Sequence, residues 1–145
     1  MKKLNTLKGG LVIAFLVTMM IPLDIFADPN PKYMNIVEMW TIGEGLNLRY
    51  GFIINVVMVV FLLSIMKKGQ LFIHQSRQVN LFVFSIIALL MLMMLVVDLC
   101  DEYKRTIITN TIGNPDPITT FFSYYINIFL VIGMAIVKFK ELESQ

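Results

Sequence analysis

The sequence predicts an all-α integral membrane protein, a small bundle of three to four transmembrane helices with short loops. One observation is a set of four apolar stretches, each close to the ~20 residues that a helix needs to cross the hydrocarbon core. They lie at Leu11–Ala27, Tyr50–Met66, Leu81–Val97 and Ile118–Val137. The other is composition, because 57% of the 145 residues are hydrophobic and 15% are charged, whereas soluble domains carry about 25% charged residues.

Positive charge is distributed unequally between the two ends of these stretches. Cytoplasmic loops of membrane proteins carry the excess of lysine and arginine, so the richer side is predicted to be cytoplasmic. That places the C-terminus and the loop Lys67–Gln78 inside, and residues 28–49 and 98–117 outside. The richer side holds Lys2, Lys3, Lys8, Lys67, Lys68, Arg77, Lys138 and Lys140, and the poorer side holds Lys32, Arg49, Lys104 and Arg105.

The first stretch, within residues 1–27, has two interpretations. A basic start, an apolar run and the small residue Ala27 are typical of a cleaved signal peptide. The alternative is a retained first transmembrane helix, which would have to tolerate Pro22 and Asp24 in its last turns. Cleavage would leave residues 28–145 as a membrane domain with helices near 50–66, 81–97 and 118–137.

A signal peptide followed by three spans puts the mature N-terminus outside and the C-terminus inside. This organisation resembles that of small subunits of conjugation and type IV secretion machines. The resemblance is one of plan and no sequence motif carries it.

The remaining helices are predicted from their flanks. Arg49 and Lys67-Lys68 bracket the second helix and can extend to the headgroups. The third helix is uncharged within 81–97 and is expected to continue through Asp98–Arg105. The fourth begins among aromatic residues, which are typical of a membrane interface, and ends at Lys138 and Lys140.

Two asparagines lie within apolar spans, Asn55 in the second helix and Asn127 in the fourth. Lipid offers no hydrogen-bond partner, so each amide is expected to bond to another helix. The alternative is that they line a pore or coordinate an ion. The spans contain no ionisable group at mid-depth, which argues against proton-coupled transport.

Two further contacts are predicted outside. Tyr33, Val37 and Trp40 recur at helical spacing, which favours an amphipathic helix on the membrane; a docking surface for a partner is the alternative. Arg49 and Asp98 lie at equal depth if the second and third helices form an antiparallel hairpin, so we predict an ion pair between them.

The sequence shows no catalytic or nucleotide-binding motif, and we expect neither enzymatic activity, a cofactor nor a nucleic-acid partner. His74 and Cys100 are the only residues of their types, so neither can assemble a zinc site or an intrachain disulfide. The acidic group Asp98, Asp101 and Glu102 is interpreted as a solvated helix end rather than a calcium site.

Two functions therefore remain. The chain is predicted to be a non-enzymatic subunit of a larger assembly in the bacterial cytoplasmic membrane, with the bilayer and other membrane subunits as partners. The alternative is a homo-oligomeric, holin-like pore built from copies of this chain.

Overall fold

The structure, a computed structural model, describes residues 2–20, 23–25, 32–34, 46–72, 75–109 and 122–144. Side chains are described for residues 5–20, 53–72, 75–100 and 122–144. The described residues form four helices and one short two-stranded ribbon. The all-helical prediction is thus confirmed for the helices and missed the ribbon.

The chain begins with helix α1, Lys2–Met19, which is followed by the ribbon. Strands β1, Leu23–Ile25, and β2, Lys32–Met34, pair antiparallel with Asp24 opposite Tyr33. The apolar stretch that the sequence extends to Ala27 is therefore helical only as far as Met19. The amphipathic helix predicted from Tyr33 cannot include β2.

Helices α2, Leu46–Met66, and α3, Arg77–Thr109, are joined by a turn of which residues 67–72 and 75–76 are described. Gly69 has φ 73°, a left-handed conformation that glycine adopts without a steric penalty at the end of a helix. Ser76 caps α3, because its Oγ accepts a hydrogen bond from the Val79 backbone N–H at 3.3 Å. Buried Asn80 bonds to both the N–H and the carbonyl of Phe72, at 2.6 and 3.2 Å, which holds the turn against α3.

The last two helices are longer than the sequence predicted. Helix α3 has 33 residues and is about 50 Å long. It continues beyond Asp98 to Thr109, past the predicted continuation to Arg105. Helix α4, Phe122–Glu143, runs six residues beyond Val137, where the apolar stretch ends.

The helices alternate in direction, so α1, α2, α3 and α4 run up, down, up and down. Helix α4 lies between α1 and α3, and α3 also packs on α2. Phe84 of α3 stacks on Phe61 of α2, with ring centroids 6.3 Å apart, and meets Phe139 of α4 edge-on at 5.1 Å. The largest fully buried apolar side chains include Phe15, Met19, Phe61, Phe84, Met91, Leu95, Tyr124 and Met134.

The outward faces of the helices are strongly apolar. Leu63, Leu89 and Phe129 are 65%, 58% and 72% exposed. Among the described residues, two helical segments are long and apolar enough to cross a membrane, Arg77–Cys100 and Phe122–Glu143. Two shorter apolar segments, Asn5–Met19 and Ile53–Met66, lie beside them.

Candidate functional site

One end of the bundle contains a buried group of charges, formed by Lys8, Lys138 and Glu141 and called here the buried charge cluster. Lys8 Nζ lies 2.8 Å and Lys138 Nζ 3.0 Å from the same oxygen, Glu141 Oε2. The Lys138 side chain is 0% exposed and that of Lys8 is 4% exposed. Since buried charges are tolerated only when they are paired, the single carboxylate is what permits both lysines to be buried.

The buried charge cluster also holds the turn between α2 and α3. Lys138 Nζ donates to the carbonyls of Lys67 and Gly69, at 2.6 and 2.9 Å. Glu141 Oε1 accepts a hydrogen bond from the Gly69 backbone N–H at 3.2 Å. The three donors of the Lys138 ammonium are thereby all used, and α1, α4 and the turn are joined at one point.

This end of the bundle carries more positive than negative charge, and we call it the basic end. Two ammonium groups face one carboxylate within the buried charge cluster. Lys67 adds a further cation at the end of α2, with its Nζ donating to the Leu71 carbonyl at 2.5 Å. Lys68 is exposed beside it.

A second polar group lies between α1 and α4, nearer the other end, and consists of Thr18, Ser123 and Asn127. Asn127 is 0% exposed, and its Oδ1 accepts a hydrogen bond from Thr18 Oγ1 at 2.5 Å. Asn127 Nδ2 and Ser123 Oγ are buried without a hydrogen-bond partner among the described residues. Almost all buried polar groups in folded proteins are paired, so these two unpaired atoms are unusual within the described core.

Asp98 and Tyr124 connect α3 to α4 at the end opposite the basic end. The Tyr124 hydroxyl donates to Asp98 Oδ2 at 2.6 Å, and the Tyr124 side chain is fully buried. Asp98 was predicted to pair with Arg49, whose side chain lies outside the described residues. The Arg49–Asp98 ion pair therefore stays a prediction, and the structure adds Tyr124 as a partner of Asp98.

The other residues singled out from the sequence are placed as follows. Asn55 is half-buried on α2, and its side chain makes no hydrogen bond within the described part of the chain. Tyr33 lies in β2, with its side chain outside the described residues. Val37, Trp40 and His74 lie wholly outside them.

Sequence reasoning missed the buried charge cluster, because it used Lys8 and Lys138 only as charges that mark the cytoplasmic side and the ends of apolar stretches. A signal was present in the spacing. Residues three and four apart share one face of a helix. Six of the ten buried residues of α4 lie at this spacing, namely Tyr124, Asn127, Val131, Met134, Lys138 and Glu141. On α1 the same spacing joins Lys8, Val12, Phe15 and Met19.

The site's chemistry is that of ion pairing and hydrogen bonding. Among the described residues, no group of three or more His, Cys, Asp or Glu side chains could hold a metal ion. Comparison with protein-family models, with curated proteins and with solved structures finds no match.

Proposed function

We propose that this chain is an integral protein of the bacterial cytoplasmic membrane and serves as a non-enzymatic subunit of a larger membrane assembly. The observation that supports this most directly is that apolar side chains face outward while polar side chains are buried within the bundle. The outward faces of α2, α3 and α4 present side chains such as Leu63, Leu89 and Phe129. The polar side chains of Asn127 and Ser123 are turned inward.

The dimensions of α3 agree with a membrane span. From Arg77 to Asp98 the helix rises about 32 Å, close to the ~30 Å thickness of the hydrocarbon core. The final turns to Thr109 then extend about 16 Å further. We propose that this extension stands outside the bilayer, where it can contact other subunits.

The basic end is proposed to face the cytoplasm. The N-terminus of α1, the turn between α2 and α3 and the C-terminus of α4 meet there, because Lys8 and Lys138 bond to Glu141 and Lys138 to the turn. All three segments carry lysines, which agrees with the excess of positive charge on the cytoplasmic side. The C-terminus is then cytoplasmic.

We further propose that α1 is a retained first span rather than a cleaved signal peptide. Its face Lys8, Val12, Phe15 and Met19 is buried, and Lys8 is one of the two cations that balance Glu141. Removal of residues 1–27 would expose the matching face of α4 to lipid, including the amide of Asn127.

A homo-oligomeric pore is the second candidate, and Asn55 is the observation that favours it. This amide is half-buried in the apolar part of α2 and has no hydrogen bond within the described part of the chain. Neighbouring copies that brought Asn55 together would create a polar lining. The apolar positions beside it, Val56 and Val59, make that lining narrow.

Site-specific photo-crosslinking in the native membrane tests these functions. A crosslinking amino acid is placed at Leu89, at Phe129 or beside Asn55 at Val56, all outward-facing positions, and crosslinked products are identified by mass spectrometry. Products with unrelated membrane proteins support the subunit. Products with the same chain, strongest from Val56, support the pore, and lipid products alone from all three positions refute both.

A further inference from the structure

A groove of about 250 Å³ opens between α2 and α3 at the basic end. Val60 and Leu63 form its α2 wall, Ile87 its α3 wall, and Leu71 and Phe72 of the turn close one end. Val60, Leu63 and Phe72 are exposed on the bundle surface. The groove is therefore reachable from the lipid side.

The walls of the groove are apolar although Ser64 is among them. The Ser64 hydroxyl donates to the Val60 carbonyl at 2.7 Å, so its proton is used within α2. Lys67 is the charged residue among the described residues that line the groove. The groove is therefore apolar, with one cation, Lys67, at the basic end.

The Lys67 ammonium is held by one hydrogen bond and has no ion pair among the described residues. Its bond to the Leu71 carbonyl uses one of three donors. The carboxylate of the buried charge cluster, Glu141, already bonds to Lys8, Lys138 and the Gly69 N–H. Within the described part of the chain, Lys67 therefore keeps two donors that can bond to a ligand.

We propose that this groove binds an anionic phospholipid of the cytoplasmic leaflet. One acyl chain lies along Val60, Leu63 and Ile87, and the phosphate accepts hydrogen bonds from Lys67. Basic pockets between helices on the cytoplasmic side suit such headgroups. The surplus positive charge of the basic end, including exposed Lys68, selects an anionic lipid over a zwitterionic one. This inference rests on the proposed membrane location.

Native mass spectrometry of the detergent-purified protein tests the proposal. The protein is equilibrated with phosphatidylglycerol and phosphatidylcholine of identical chains at equal concentration, and the bound lipid is counted. We expect a preference for phosphatidylglycerol that falls about fivefold in Lys67→Gln, the effect of one lysine near an anionic headgroup. The matched control is Lys140→Gln, which alters an exposed lysine of α4 at the basic end. This variant should keep the preference for phosphatidylglycerol.

A second variant tests the acyl-chain part of the groove. Val60→Trp fills the groove and should reduce the binding of both lipids, while far-ultraviolet circular dichroism confirms that the helices remain. Equal binding of the two lipids by the unaltered protein, or an equal loss in Lys140→Gln and Lys67→Gln, overturns the proposal. Membrane fractionation distinguishes failure of the lipid-binding proposal from failure of the proposed membrane location. A chain that is released from membranes without detergent refutes the membrane location itself.

Discussion

Replacement of Glu141 by glutamine is expected to destabilise the bundle more than any other single change at the basic end. The carboxylate is the shared counter-ion of Lys8 and Lys138, with Nζ–Oε2 distances of 2.8 and 3.0 Å. Glutamine has a similar shape but no charge, so both buried ammonium groups would lose their counter-ion. Breaking one buried pair costs about 3–5 kcal/mol, and we expect a loss of at least that size.

Replacing Lys8 is expected to cost much less stability than replacing Glu141. Lys8→Met removes one buried charge and leaves the Lys138–Glu141 pair intact, with an apolar side chain of similar length in its place. Removing one partner of a buried pair is costly when it leaves an uncompensated charge. Here Glu141 keeps Lys138 as its counter-ion, so we expect a loss of about 1 kcal/mol or less. In the double variant, Lys8→Met should recover part of the loss caused by Glu141→Gln, because only Lys138 then lacks a counter-ion.

Equilibrium unfolding in mixed detergent micelles, followed by circular dichroism, measures these differences. Glu143→Gln is the control, since Glu143 is exposed on the same helix and should change the free energy of unfolding by less than about 0.5 kcal/mol. The reasoning is refuted if Glu141→Gln behaves like Glu143→Gln, or if Lys8→Met alone costs as much as Glu141→Gln.

Further outcomes are expected for three hydroxyl side chains and for the N-terminus. Tyr124→Phe removes the hydrogen bond to the Asp98 carboxylate and should lower the free energy of unfolding by about 1.5–3 kcal/mol; no change would show that this bond makes no contribution. Ser123→Ala removes a buried hydroxyl with no partner in the described part of the chain and should raise the same free energy by about 1 kcal/mol. Ser64→Ala removes a hydroxyl that is hydrogen-bonded and should lower the free energy of unfolding slightly. A Ser64→Ala protein more stable than Ser123→Ala would contradict the view that Ser123 is the unpaired hydroxyl. N-terminal sequencing of the membrane-extracted protein should find residues 1–27 present, whereas a chain that starts at Asp28 would establish the signal peptide.

The helices could be predicted from the sequence because their apolar runs are long and their flanks are charged. The bounds were harder, and α3 shows why. Apolar composition ends at Val97 and the helix was predicted to continue to Arg105, whereas it ends at Thr109. Hydropathy reports only apolar composition, and a helix that continues past an apolar run depends on local backbone preferences that hydropathy does not report.

The buried charge cluster could not be predicted by the same reasoning. Near a membrane surface a lysine is expected to extend to water, and Lys138 lies just beyond an apolar run. Its burial depends on Glu141, on Lys8 more than a hundred residues away and on two carbonyls of the turn. Such a partner set exists only once the helices are packed, although the helical spacing of Lys138 and Glu141 placed both on one face.

The pairing of α1 with α4 sets an order of events during synthesis. Lys8 and Glu141 are separated by 133 residues, and at typical ribosomal rates this distance corresponds to a delay of roughly 7–27 s. Over that interval the first helix lacks the carboxylate that pairs with its lysine. The nascent chain is therefore incomplete until its last turns emerge, and truncation within α4 should yield a product that cellular proteases recognise and degrade.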